Sequence, residues 1–344
     1  MRTIIATVGT SLLTKAERDG KSDDLQVYLR FTDPEKASAE TNSLSHLLKE
    51  GDRIVFLRSQ TKEGERAAEA LATFYRNSGY SAEVVEVPDL QYRESRFKMR
   101  GLRALVARLI EIVQHERKQD REVLINATGG FKAEIAYATL VGLLFDVPVY
   151  YIHEVFREII ELPPTPISWD YSLIDTYADF FQWISDDLRT TRQVDRRLHT
   201  LPDEVRLLLV EEEGYTMLSP AGEAFYEAYL ARVEALPPTP LFVHPHAQRT
   251  LDTAKPSVRE ALRQRLKRLR NPEMRRQNSH SVHGSDCLVY PSGNVPERIV
   301  YYTDEHGDVY VCEVFWVHSE YENALAQGVW RKQYPPEECQ QWLG

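Results

Sequence analysis

The 344-residue chain predicts an α/β protein. A doubly wound parallel sheet comes first, then a winged-helix middle segment and a small α+β module. Three observations predict this. Short Ile- and Val-rich runs alternate with helical stretches up to about residue 165, as buried parallel strands and their crossover helices do. Two proline-rich breaks, Leu162-Pro-Pro-Thr-Pro and Leu236-Pro-Pro-Thr-Pro, cannot lie inside helices and read as stiff spacers. After the second break, one helical stretch precedes strands in series.

In order, the strands expected in the first segment are Thr3–Val8, Arg53–Arg58, Ala82–Glu86, Glu122–Ile125 and Val147–Ile152. The helices between them are Ser38–Glu50, Lys62–Ser78, Phe97–Gln119 and Phe131–Phe145. This βαβ alternation defines the sheet. The middle segment predicts helices over Tyr171–Arg192 and Pro202–Glu213. A short strand follows, then a helix capped by Ser219 with Pro220 at its first position. The last segment predicts strand Leu241–His244, helix Ser257–Arg270, and strands Asp286–Tyr290, Ile299–Thr303 and Val309–Trp316. The last two are joined by the turn Asp304-Glu-His-Gly-Asp. The expected domains are therefore 1–165, 166–238 and 239–344.

Hydrophobic residues make up 42% of the chain, enough for real cores. A formal net charge of -10 argues against a protein that coats nucleic acid non-specifically. No apolar run reaches the roughly 18–20 residues of a membrane span. The cysteines Cys287, Cys312 and Cys339 are odd in number and lack metal-ligand spacing. Free thiols in a reducing, cytoplasmic compartment and no metal are the expectation.

Two polar turns at strand ends form the first candidate site. Gly9-Thr10-Ser11 follows the first strand. Asn126-Ala-Thr128-Gly129-Gly130-Phe-Lys132 follows the fourth and opens a helix. Glycines allow close backbone approach, and a helix start favours anionic or polar groups. Lys132 adds a cation, and Thr10, Ser11 and Thr128 add hydroxyls. Neither GxGxxG nor GxxxxGK[ST] occurs, so a standard NAD or ATP site is not expected. The cationic run Gln91–Arg100 reads either as an oligonucleotide cap or as a solvated helix start.

The pairing of IIATVGTSLL with NATGGFKAE resembles the CRISPR-associated Rossmann-fold (CARF) domain over residues 1 to about 160. The resemblance implies a homodimer whose facing turns bind one cyclic oligoadenylate, a tetramer ring being the commoner choice for this domain class. The ligand-contacting positions it implies are Gly9, Thr10, Ser11, Asn126, Thr128, Gly129, Gly130 and Lys132. Some members of the class also cleave the ring slowly.

In the middle segment, Glu204, Glu211, Glu212 and Glu213 would repel phosphate, so a connector is expected rather than a DNA reader. Beyond it, Arg249–Arg276 is strongly basic, and His280, His283, Arg298, His318 and Tyr321 follow. Such residues suit metal-free RNA cleavage. One group takes the 2′-hydroxyl proton, one protonates the 5′-oxygen, and a cation stabilises the charged phosphorane. VREALRQRLKRLRNP followed by ERIVYYTDEHGDVYVCEVFWVHSEYENAL resembles the RelE family of ribosome-dependent mRNA interferases over 241 to about 330. That resemblance places Arg298 on the phosphate and makes His318 and Tyr321 acid–base candidates. The lysines that such proteins often carry on the first strand of the series are absent from Asp286–Tyr290. His280, His283 or Arg276 would substitute for them.

Together the resemblances imply a cyclic-oligoadenylate-activated homodimeric endoribonuclease that cuts mRNA on the ribosome. Two other readings stay open at this point: a ligand-controlled DNA-binding regulator, and an enzyme that degrades the cyclic messenger.

Overall fold

A computed structural model describes residues 1–91, 100–152, 158–235 and 237–343. The chain forms two compact units, Met1–Ser168 with Ile184–Ala228, and Trp169–Trp183 with Tyr229–Gly344. The middle segment therefore contributes residues to both.

The first unit carries, in chain order, β1 (Arg2–Val8), α1 (Ser11–Arg18), α2 (Leu25–Phe31), α3 (Pro34–Ala37), α4 (Ala39–Leu47), β2 (Arg53–Ser59), α5 (Lys62–Asn77), β3 (Ser81–Val87), α6 (Arg100–Arg117), β4 (Glu122–Asn126), α7 (Lys132–Leu144), β5 (Val149–Ile152) and β6 (Ile159–Leu162). Strand order is β3-β2-β1-β4-β5-β6. The first five strands are parallel, and β6 is antiparallel to β5. The fold class is thus the mixed α/β arrangement that the alternation predicts. In the central strand β1, every residue from Thr3 to Val8 is buried, which is why it reads as a continuous apolar run rather than an alternating one. Burying each large aliphatic side chain, such as Ile4, Ile54 or Leu124, contributes about 1.5–3 kcal/mol.

Polar groups buried beside this core are paired. At the amino ends of the strands, Glu116 is 1% exposed. It accepts the Thr3 hydroxyl at 2.6 Å and Arg121 at 2.9 Å, and Arg53 lies at 3.4 Å. At the start of α4, Ser38 and Thr41 cap one another. The Ser38 hydroxyl accepts the Thr41 N–H and the Thr41 hydroxyl accepts the Ser38 N–H, both at 2.9 Å.

The next elements are α8 (Ser172–Thr176), α9 (Ala178–Asp186), β7 (Arg189–Thr190), α10 (Thr191–Leu198), a 3-10 turn (Asp203–Leu208), β8 (Leu209–Glu212), β9 (Tyr215–Leu218) and α11 (Pro220–Ala235). Two expectations need correction here. Tyr171–Arg192 is not one helix. Thr190 leaves it to cap α10 with Gln193, and β7 pairs with β9. Pro202–Glu213 is a 3-10 turn followed by a strand. Glu213 and Gly214, at φ 52° and 78°, close a tight hairpin that recruits β8 into a sheet ordered β7-β9-β8. The cap at Ser219 is present, its hydroxyl accepting the Gly222 N–H at 3.0 Å.

The second unit carries β10 (Leu241–Val243), α12 (Pro245–Thr253), α13 (Pro256–Leu269), α14 (Pro272–Asn278), β11 (His280–Ser281), β12 (Leu288–Tyr290), β13 (Arg298–Thr303), β14 (Val309–Phe315), α15 (His318–Gln327) and β15 (Gln340–Gln341). Its sheet is ordered β11-β12-β13-β14-β10-β15, with only β10 and β14 parallel. Proline opens α12, α13 and α14, a signal that locates all three in the sequence, although the reading above placed only α13. Alternation along β13 splits the core. Ile299 and Tyr301 meet Leu262, Leu266 and Leu269 of α13. Val300 and Tyr302 meet Tyr321 and Tyr334 on the opposite face.

The α8 segment is bound into this unit through Asp175, which is fully buried. Its carboxylate accepts Tyr229 at 3.0 Å, Asn278 at 2.7 Å and Tyr290 at 2.5 Å, with Arg268 at 3.7 Å. Among the described residues, no helix is long and apolar enough to cross a membrane.

Candidate functional site

Strand order in the first unit reverses between β1 and β4, with β2 and β3 on one side and β5 and β6 on the other. Doubly wound sheets bind ligands beyond the carboxyl ends of their strands at that reversal. The turns Gly9–Ser11 and Asn126–Lys132 are the two that leave these strands.

A residue not singled out in the sequence joins them. Glu40, fully buried in the first turn of α4, accepts the Gly9 N–H at 2.8 Å and the Ser11 hydroxyl at 3.0 Å. Ser11 in turn accepts the Ala39 N–H at 2.9 Å. In the other turn, Thr7 donates to the Gly129 carbonyl at 2.5 Å. The Asn126 amide donates to Ser43 at 2.7 Å, and Thr128 accepts the Ile152 N–H at 3.1 Å. A Cβ on Gly129 would overlap Glu40 Oε1 and the Thr7 carbonyl. A Cβ on Gly9 would stand 2.8 Å from the Gly130 nitrogen, so the turns touch backbone to backbone. Gly130 holds φ +95°, a left-handed conformation that side chains resist.

The predicted residues thus divide into two groups. Gly9, Ser11, Asn126 and Gly129 hold the turns in shape. Thr10 and Lys132 are exposed, with Thr128 and Gly130 half-buried beside them. Neither α1 nor α7 is closed by a side-chain cap. Both helices begin here, so their dipoles and Lys132 favour an anionic ligand. Of the cationic run Gln91–Arg100, residues 92–99 lie outside the described residues. Arg100 opens α6 and pairs with Glu212 at 3.4 Å, and Arg103 pairs with Glu223 at 2.7 Å.

The second constellation lies on the sheet of the other unit. Arg298 begins β13 and is 6% exposed. Its guanidinium donates to the carbonyls of Gly293 at 2.6 Å and Glu297 at 3.1 Å, and stands 6.0 Å from the centre of the Tyr321 ring. Burial, then the nearby Arg265 charge, pulls Arg298 below its usual range, against the opposing pull of Tyr321. His318 opens α15, its ring 5.9 Å from Tyr321 and its Nε2 3.2 Å from Glu322. Strand register adds His280, which is paired to Val289, itself paired to Val300. His280 therefore shares a face with Arg298, two residues along β13 from Val300. Burial and the Arg298 charge hold His280 below the usual histidine range. Among the described residues, its Nδ1 has no hydrogen-bond partner.

His283 and Arg276 are exposed, and no described contact joins them to this group. The basic stretch 249–276 does not form one cationic face. Arg265 and Arg268 turn inward, to Glu297 and to Asp175 and Asp179. Its helix α13 packs on the sheet face opposite Arg298. No group of three or more metal-ligating side chains is placed to hold an ion among the described residues.

The fold and its two candidate sites define a class: an α/β unit with two polar turns at its strand switch, on one chain with an α+β unit carrying an Arg–His–Tyr cluster. Residues 35–165, fewer than half of the chain, match the family described as CRISPR-associated protein (Cas_APE2256). The match spans Glu40 and the Asn126–Lys132 turn. Among solved structures, the chain is similar to protein VC1899 from Vibrio cholerae, with 10% identity over 68% of this chain and 67% of that one, at a TM-score of 0.28. It is also similar to Can2 from Sulfobacillus thermosulfidooxidans in complex with cyclic tetra-adenylate. That identity is 12%, over 90% of this chain and 78% of the other, at a TM-score of 0.27.

Proposed function

We propose that this protein is a CRISPR-defence endoribonuclease switched on by a cyclic oligoadenylate, with cyclic tetra-adenylate the first ring to test. Residues 1–165 act as the sensor, 166–238 as the connector and 239–344 as the nuclease, in a homodimer that cuts mRNA on the ribosome. The observation that carries the reading is the convergence of Arg298, His280, Tyr321 and His318 on one sheet face, in a chain whose first unit matches a CRISPR-associated family.

The roles follow from position. Thr10, Lys132 and the helix starts of α1 and α7 receive the ligand's phosphates. Arg298 stabilises the pentavalent phosphate. Its guanidinium carries more donors than its two carbonyl contacts use, and its low-polarity surroundings strengthen its pull on an anion. His318 is solvent-facing and held by Glu322, as suits a group that delivers a proton to the leaving 5′-oxygen. The products of such chemistry are a 2′,3′-cyclic phosphate and a 5′-hydroxyl.

The test is mRNA cleavage in a purified translation reaction, with and without cyclic tetra-adenylate, comparing the wild type with Arg298→Ala. Ligand-dependent cleavage lost in the variant supports the reading. Absence of cleavage with every ring size, ribosomes present, overturns it.

A further inference from the structure

Besides His280 and His318, a further imidazole lies at the edge of the same sheet face. His246, in the first turn of α12, is about half-exposed, with 52% of its side chain accessible. Its Nδ1 lies 3.1 Å from Glu313 Oε1, and the Tyr334 hydroxyl donates to the same oxygen at 2.9 Å. Glu313 is largely enclosed, with 17% of its side chain exposed. The carboxylate thus fixes the ring with Nδ1–H as donor and leaves the Nε2 lone pair as the accessible base. Behind it, His244 accepts the His246 N–H on its own Nδ1 at 3.3 Å and meets Glu338 through Nε2 at 3.2 Å. The titratable groups around the His246 ring are therefore Glu313 of β14, Tyr334 of the C-terminal segment and His244 of the preceding strand end, with Glu338 beyond His244.

Strand register puts this pair beside the Arg298 cluster. Glu313 is opposite Val300, and Phe315 is opposite Arg298. Arg298 and Glu313 are thus diagonal neighbours on antiparallel strands, about 7–8 Å apart. The row His280, Val289, Val300, Glu313 runs across four strands and ends at His246. An imidazole oriented by an enclosed carboxylate, that carboxylate being the diagonal neighbour of the buried Arg298, suits general-base catalysis.

We infer that His246 is the general base of the nuclease unit, oriented by Glu313 and Tyr334, and that it supplies the proton acceptor that the lysine-free strand Leu288–Tyr290 lacks. This rests on the ribonuclease reading. His246 Nε2 takes the proton of the RNA 2′-hydroxyl, and the 2′-oxygen forms a bond to phosphorus. The bond from phosphorus to the 5′-oxygen breaks, and that oxygen takes a proton from the imidazolium of His318. His246 then returns its proton to water, and His318 regains one. His246 is a catalytic residue in this scheme, and Glu313 and Tyr334 are positioning residues.

The experiment is single-turnover mRNA cleavage by the whole chain saturated with cyclic tetra-adenylate, ribosomes present, over a range of mRNA concentrations. Wild type, His246→Ala, His246→Gln, Glu313→Gln and Tyr334→Phe are compared, with thermal melts as a folding check. Both His246 variants are expected to melt like wild type and to cleave about 100-fold more slowly. Glu313→Gln and Tyr334→Phe, which loosen the hold on the ring, are expected to lower the limiting single-turnover rate about tenfold while leaving the half-saturating mRNA concentration unchanged. An active wild type matched within about twofold by a folded His246 variant overturns this inference and leaves the ribonuclease reading standing. An inactive wild type overturns both.

Discussion

Glu40 and Gly9 are joined by a 2.8 Å hydrogen bond from the glycine N–H to a fully buried carboxylate, and the same carboxylate receives Ser11 at 3.0 Å. The first strand-end turn is therefore held by a residue thirty-one positions away in the chain. Removing the acceptor strands two donors. Glu40→Ala should cost about 2 kcal/mol of stability in urea unfolding and weaken cyclic tetra-adenylate binding in calorimetry. Lys132→Ala should leave the unfolding midpoint unchanged and weaken the same ligand tenfold or more, because an exposed cation at the helix start acts on the ligand alone.

The pairing at Glu116 sets an acid dependence. Burial acts to raise its carboxyl. The hydrogen bonds from Thr3 and Arg121 and the charges of Arg53 and Arg121 outweigh that effect and hold it below the ordinary carboxylate value. A carboxyl whose folded pKa lies below its unfolded value stabilises the fold above the unfolded value, near 4.3. That contribution is lost as pH falls through the folded value. Glu116→Gln should flatten the stability–pH profile of the first unit in the acid range. Glu116→Ala, which leaves cations facing a vacated site, should cost about 3 kcal/mol at neutral pH.

Asp175 organises the second unit in the same way, with Tyr229, Asn278, Tyr290 and Arg268 around one enclosed carboxylate. Asp175→Ala should destabilise that unit by about 3–5 kcal/mol, because it leaves the buried donors of Tyr229, Asn278 and Tyr290 without their acceptor and takes from the buried Arg268 the nearer of its two carboxylates. Chemical denaturation followed by tyrosine or tryptophan fluorescence reads the loss.

Arg298 and His280 are coupled by charge. The cation adds to burial in holding His280 below the usual histidine range, so the ring is neutral at pH 7. Arg298→Ala removes that charge and opens the site to water. Both changes raise the His280 pKa, and an NMR titration of its ring protons should follow it upward. Arg298→Lys keeps the charge without the planar fork. It should restore the low His280 value while leaving RNA cleavage at least tenfold down.

Much of the fold is legible in one dimension. The buried strands of the first unit read as apolar runs because helices cover both faces of the sheet, which removes any reason for alternation. Ser219-Pro220 marks a helix start because cap and proline chemistry are local. Tyr171–Arg192 misleads because helical propensity there yields to a cap at Thr190 and to pairing of β7 with a strand about twenty-five residues later. Within the sites, glycines, hydroxyls and the strand-opening Arg298 announce themselves by type and by place after or before a strand.

By itself, the sequence determined the α/β class, the two polar turns at strand ends and the cluster of arginine, histidine and tyrosine near the C-terminus. All of these follow from local periodicity and residue chemistry. Only tertiary structure decided that Glu40 holds the first turn, that Arg265 and Arg268 face inward, and that His246 and Glu313 join the face of Arg298. Burial and cross-strand register depend on which distant segments pack together, and a charged side chain reads the same in a sequence whether it ends in water or against a partner.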